Sequence, residues 1–141
     1  MENKKINVAV RLVMTKGDKI LLTQVKNSSF YFLPGGGLEF GESIEKSIKR
    51  ELREELGINP KNYSFIGINE TKFTDKSGNH HGIDLVFKVK TNELHTKSKE
   101  NHIAFSFQKI KELPKLNILP ASLKKSLIRW FKNDKHFWGK T

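Results

Sequence analysis

The stretch that decides the reading is GGLEFGESIEKSIKRELREELGI, residues 36–58. From Ser43 to Leu56 its apolar residues Ile44, Ile48, Leu52 and Leu56 recur every four positions, the repeat of one narrow helical stripe. Ser43 is placed as N-cap and Gly57 as the C-terminal stop. The predicted helix carries Glu51, Glu54 and Glu55 at i, i+3 and i+4, and at about 100° per residue these carboxylates share an arc of roughly 100° that borders the apolar stripe. The acidic patch is therefore expected in a cleft. Like charges one turn apart cost a few tenths of a kcal/mol, and partial burial adds to that cost by raising their pKa values. Bound cations reverse the penalty, and carboxylate oxygens clustered on a rigid helix suit hard ions such as Mg²⁺ or Mn²⁺. Arg50 can reach Glu54 at i+4, where its guanidinium would fix the orientation of a metal-binding carboxylate.

Outward from this helix the chain alternates strands and helices. Upstream, Phe30-Tyr31-Phe32-Leu33 runs into Pro34-Gly35-Gly36-Gly37, a loop whose glycines permit close approach. Residues 6–14 and 19–25 read as strands joined at Thr15-Lys16-Gly17-Asp18, a hairpin pattern. Downstream of Pro60, strand-like runs over about 63–73 and 82–90 flank a turn at 75–79, and a polar loop fills about 91–101. Residues 103–108 read as a further strand and Leu113-Pro114 as the end of a short segment. Ala121 to Lys132 reads as an amphipathic helix with Leu123, Leu127, Ile128 and Phe131 inward. The expected fold is one α/β domain over residues 1–141, a mixed β-sheet flanked by helices.

Composition narrows the class. Cysteine is absent, which removes disulfides, thiolate metal sites and cysteine nucleophiles. The start, Met-Glu-Asn-Lys-Lys, lacks a secretory h-region and no apolar run is long enough to span a bilayer, so a cytoplasmic protein with no membrane partner is expected. The net charge of +11 is uneven: residues 1–96 hold 15 Lys+Arg against 12 Asp+Glu, residues 97–141 hold 11 against 3. Such an excess attracts polyanions, but it is nearly all lysine without evident aromatic interleaving, so it reads first as a solvated surface, with nucleic acid as the functional alternative.

The 36–58 stretch resembles the Nudix box at every specified position: Gly36, five residues, Glu42, seven residues, Arg50-Glu51-Leu52, one residue, Glu54-Glu55, one residue, Gly57-Ile58. A chance match at a given start is on the order of 10⁻⁹. The resemblance implies a Nudix-type α/β/α sandwich in which Glu51, Glu54 and Glu55 bind divalent metal, with the Gly35 carbonyl a further ligand and Glu42 an auxiliary carboxylate. It implies attack of a metal-activated water on phosphorus in a nucleoside diphosphate linked to another group X. The expected activity is a (d)NTP or related pyrophosphohydrolase. The alternatives are removal of pyrophosphate from 5′-triphosphorylated RNA, or a module that binds nucleotides or nucleic acid without cleavage. The general base is open between Glu51 and, from the polar loop, Glu93 or Glu100.

Substrate identity is less well marked. No proline lies some fifteen residues past Ile58, as in many ADP-ribose enzymes of the family; Phe73 and Thr74 occupy that region. Lys26 or Arg11 would have to meet the phosphates. Phe30, Tyr31 and Phe32 read as core before base-stacking. His80 and His81, adjacent in a strand, point to opposite faces and do not readily share one metal. Trp130 and Trp138 read as packing residues, at a dimer contact if the protein is a homodimer and not a monomer.

Overall fold

The computed structural model describes residues 4–141, so the start of the N-terminal reading, Met1 to Asn3, lies outside the described residues. The strands are β1 (Ile6–Val13), β2 (Thr15–Lys16), β3 (Lys19–Val25), β4 (Gly35–Gly37), β5 (Asn62–Asp75), β6 (Gly78–Lys90), β7 (Ile103–Lys109) and β8 (Phe137–Lys140). The helices are α1 (Ile44–Leu56) and α2 (Ala121–Asn133), with a 3-10 segment over Ile110–Lys115 that contains Pro114 instead of ending before it. Five strands form a mixed sheet in the order β4-β1-β6-β5-β8, and three form a second sheet, β2-β3-β7.

The mixed α/β architecture with helices on the sheet is the one expected. The hairpin reading of residues 6–25 is corrected: β1 joins the large sheet beside β4 and, in parallel, β6, whereas β3 pairs with β7 and only β2 folds back on it. A strand with two apolar faces can serve two cores, and this is what the burial shows. Val10 and Leu12 pack with Ile48, Leu52 and Leu56 of α1; Val13 faces the other cluster, with Leu123, Leu127 and Trp130 of α2. On α2 the inward set is thus Leu123, Leu127 and Trp130, while Ile128 and Phe131 are only half-buried.

α1 forms where the local signals place it. Ser43 accepts a hydrogen bond from the Lys46 N–H at 3.2 Å, and Gly57 closes the helix at φ 69°, its N–H donating to the Arg53 carbonyl at 3.0 Å and the following Ile58 N–H to the Leu52 carbonyl at 3.4 Å. Ile48 and Leu52 are fully buried and Leu56 nearly so, but Ile44 is 38% exposed, because the stripe's first member lies beyond the edge of what the helix covers. Each fully buried aliphatic side chain contributes about 1.5–3 kcal/mol, so three of them anchor the helix more firmly than its caps do. Replacing Leu52 by Ala is expected to destabilise the protein by about 2–5 kcal/mol in denaturant unfolding; a loss below about 1 kcal/mol would show that α1 is not held by this face.

Candidate active site

Two elements meet at the site: the glycine turn that becomes β4, and the border of the buried face of α1. Gly35 pairs with Arg11 and Gly36 with Val10 of β1. At Gly35 φ is 130°, and a side chain there would run into the Val10 carbonyl, so the turn excludes any other residue. At Gly36 a Cβ would stand 2.5 Å from Glu51 Oε1. The missing side chain is what lets the backbone lie against that carboxylate.

Glu51 and Glu55 are 7% and 5% exposed, in keeping with their position beside the apolar stripe. Glu55 Oε2 accepts a hydrogen bond from the Gly35 N–H at 3.1 Å. Burial, reinforced by the charge of Glu51 and only partly offset by that hydrogen bond, pushes the Glu55 carboxyl up to about 8. Glu51 is also pushed up by burial, with Arg50 opposing. Glu54 differs: its side chain is 51% exposed and leans on Arg50.

Arg50 has more partners than its i+4 spacing suggested. Its Nε and Nη2 hold both oxygens of Glu42, at 2.6 and 2.9 Å, its Nη1 donates to Glu51 at 3.0 Å and to Glu54 at 3.3 Å, and its Nη2 also donates to the Gly37 carbonyl at 2.9 Å. The bidentate bond to Glu42 dominates, holding that carboxyl down at about 2, and Glu42 also accepts from the Glu39 N–H. One guanidinium therefore ties the loop ahead of α1 to the carboxylates on it.

The remaining expected residues separate. Arg11 Nη1 donates to the Leu33 carbonyl at 3.2 Å, its Nε lies 3.5 Å from Asp84, and its charge acts on both Glu51 and Glu55. Lys26 is exposed, and among the described residues no hydrogen bond or ion pair joins its amine to the 36–58 segment; only its backbone is engaged, with His102. Glu100 lies close enough for its charge to raise Glu55, because the Lys99 N–H donates to the Glu55 carbonyl at 2.8 Å and docks the polar loop on the end of α1. Glu93 is exposed and its N–H is turned to Thr91 within the loop. Asp84 was missed; a lone carboxylate inside the apolar run Ile83 to Val89 was the signal.

His80 and His81 do go to different partners, Asp75 and Ser77 for one and Glu70 for the other. Phe32 and Tyr31 pack on the two cores. A concavity of about 620 Å³ at the far end of β1 from Gly35 is lined by Lys4, Lys72, Phe73 and His80 among others, and has no carboxylate in its wall.

The donor set at the cleft is all oxygen and partly desolvated, which fits a hard divalent cation. Among the described residues no three acidic or imidazole side chains already surround one point, Glu54 being drawn aside by Arg50.

The chain matches the family model described as "NUDIX domain" over residues 5–131. An ADP-ribose pyrophosphatase from Methanocaldococcus jannaschii is 34% identical over 126 residues, 87% of this chain and 73% of that one. An 8-oxo-dGTP diphosphatase from Escherichia coli is 32% identical over 77 residues, 52% of this chain and 60% of that one. Among solved structures, a MutT protein from Bacillus halodurans superposes with a TM-score of 0.81 at 25% identity, covering 96% of this chain and 88% of that one.

Because the folded Glu55 carboxyl titrates near 8 and an unfolded one near 4.5, the native state binds the extra proton between those values. Metal-free stability therefore falls as pH rises from about 4.5 to 8, and the penalty is complete above 8. Glu55→Gln removes the charge and keeps an acceptor for the Gly35 N–H. In metal-free buffer at pH above 8 it should raise Tm by at least roughly 3 °C, with little difference near pH 4.5; an equal or lower Tm at the high pH would contradict the assignment.

Proposed function

The chain belongs to the NUDIX family, and from that membership we propose that its Glu51 and Glu55 cleft cleaves the diphosphate linkage of a nucleoside triphosphate, ribo or deoxy. The protein is a pyrophosphohydrolase; what is proposed is the substrate and the part each residue takes. One observation supports the residue roles: two buried carboxylates one turn apart lie against a glycine turn, Glu55 accepting from the Gly35 N–H and Glu51 set against Gly36.

Glu51, Glu54 and Glu55, with the Gly35 carbonyl, would hold Mg²⁺ or Mn²⁺. Bound there, the ions supply neutralisation of the phosphate oxygens and acidity for the attacking water. The chain does the rest by position. Arg50 aims Glu51 and Glu54 and keeps the loop at Gly37 and Glu42 against α1. Arg11 turns a fixed positive charge toward the cleft and takes the phosphate role in preference to Lys26. Glu100 is the proton acceptor in preference to Glu93, because its loop is docked on Glu55.

The nucleoside triphosphate reading is supported by the MutT structure that covers nearly the whole chain and by the absence of a proline past Ile58 at the position typical of ADP-ribose enzymes. ADP-ribose is the second reading, favoured by the relative that matches 87% of the chain. A screen of nucleoside triphosphates, ADP-ribose and 5′-triphosphorylated RNA, with and without added Mg²⁺, tests both. The expected result is strict metal dependence and a higher kcat/KM on triphosphates; ADP-ribose turned over best would replace the first reading by the second. Glu54→Gln, at an exposed position, should cut kcat by orders of magnitude with Tm unchanged, and retained turnover would refute its role.

A further inference from the structure

The far edge of the large sheet has the opposite character to the cleft. β8 is four strand spacings from β4, about 19 Å at about 4.8 Å each. Along it Phe137 turns inward against Gly67, and Gly139 against Asn69 and Ser126. The alternate residues face out, and Trp138 is 70% exposed, contrary to the packing expected of it. Lys140 Nζ lies 5.3 Å from the centre of the Trp138 ring. His136 meets Phe65, itself 38% exposed, edge-on with centroids 5.7 Å apart. The aromatic interleaving that the sequence did not display is therefore present in space.

Residues 121–141 hold six Lys+Arg and a single acid, Asp134. Lys125, Arg129, Lys132, Lys135 and Lys140 are exposed, and among the described residues none of them forms an ion pair. Two concavities adjoin Trp138: one of about 470 Å³ with Ser122, Lys125, Arg129 and Lys140 in its wall, and one of about 290 Å³ with Arg129, Lys135 and His136. Ser126 belongs to both. Its Oγ, the Oγ of Ser122 and both amide atoms of the neighbouring Asn69 are buried and have no hydrogen-bond partner in the chain, although buried polar atoms are nearly always paired.

We infer that this edge binds a single-stranded nucleic acid, with a base stacked on Trp138 and phosphates running along Lys125, Arg129, Lys135 and Lys140. An exposed indole framed by cations suits an unpaired base followed by phosphate; a duplex hides its base faces. Cations without partners bind phosphates and release counterions. A second copy of the chain is the wrong occupant, because a two-fold contact here would set the same five cations against each other. The inference concerns binding alone and does not depend on which diphosphate the cleft hydrolyses.

Fluorescence anisotropy of a labelled RNA of about 12 nucleotides with a 5′-hydroxyl, which offers the cleft no diphosphate, tests it. Binding should weaken steeply with salt and quench tryptophan emission. Trp138→Ala should weaken it roughly tenfold or more, while Trp138→Phe keeps most of it. Arg129→Glu with Lys140→Glu should reduce the salt slope, and mononucleotide hydrolysis and Tm should stay unchanged in all these variants. DNA of the same sequence should bind comparably, because stacking and phosphate contacts do not read the sugar. Equal binding by Trp138→Ala, or a dimer in light scattering that Trp138→Ala dissociates, would overturn the inference.

Discussion

Two carboxylates deprived of water, Glu51 and Glu55, stand one turn apart on α1, and much of the molecule is arranged around the cost of keeping them there. Isolated burial of either charge is worth several kcal/mol against folding, and their mutual repulsion adds to it. The anchor that offsets this cost is adjacent: Ile48, Leu52 and Leu56 on the same helix are buried against β1. The acid and apolar stripes share a border, so the packing that stabilises the helix also holds the carboxylates out of solvent. Their burial is carried at the expense of stability in the metal-free protein, and a cation held there, as proposed, would restore the balance.

Arg50 decides how far that strain goes. It gives two hydrogen bonds to Glu42 and one each to Glu51, Glu54 and the Gly37 carbonyl, and none to Glu55. Glu55 has instead a backbone N–H and the distant charge of Arg11, which explains why its pKa rises to about 8 while Glu42 falls to about 2. The two ends of the acidic set are thereby separated into a carboxylate fixed as a structural clamp and one left short of countercharge.

α1 was legible because everything that defines it lies within fifteen residues: a period of four, a serine before it and a glycine after it. β4 was not, since Gly35 to Gly37 carry no side-chain pattern and become a strand only by lying along Ala9 to Arg11. β8 is four residues long and its partner is β5, some seventy positions earlier, so no local alternation could announce it. The same distance hid the role of Trp138, whose exposure depends on which strand takes the sheet edge. Arg50 was read toward Glu54 because spacing on one helix is visible in sequence, whereas its stronger bond to Glu42 crosses the turn at Ser43. Glu100 was one candidate of three, with Glu51 and Glu93, and the Lys99 backbone bond that docks its end of the loop on α1 could not be read from sequence.

The charge of +11 must be assigned to the right part of the molecule. At physiological ionic strength the screening length is about 8 Å, so cations at the β8 edge, about 19 Å across the sheet, act weakly on the cleft. The leading charges on Glu55 agree with the separation: they are Glu51, Glu100 and Arg11, and no lysine of residues 121–141 is among them. The basic surface therefore does not substitute for a cation in the cleft. Its field acts on what approaches the protein, and its unpaired lysines keep that capacity because no acidic neighbour neutralises them. An acidic hydrolytic face and a basic aromatic edge can coexist on one short chain because five strands of sheet keep them beyond each other's electrostatic range.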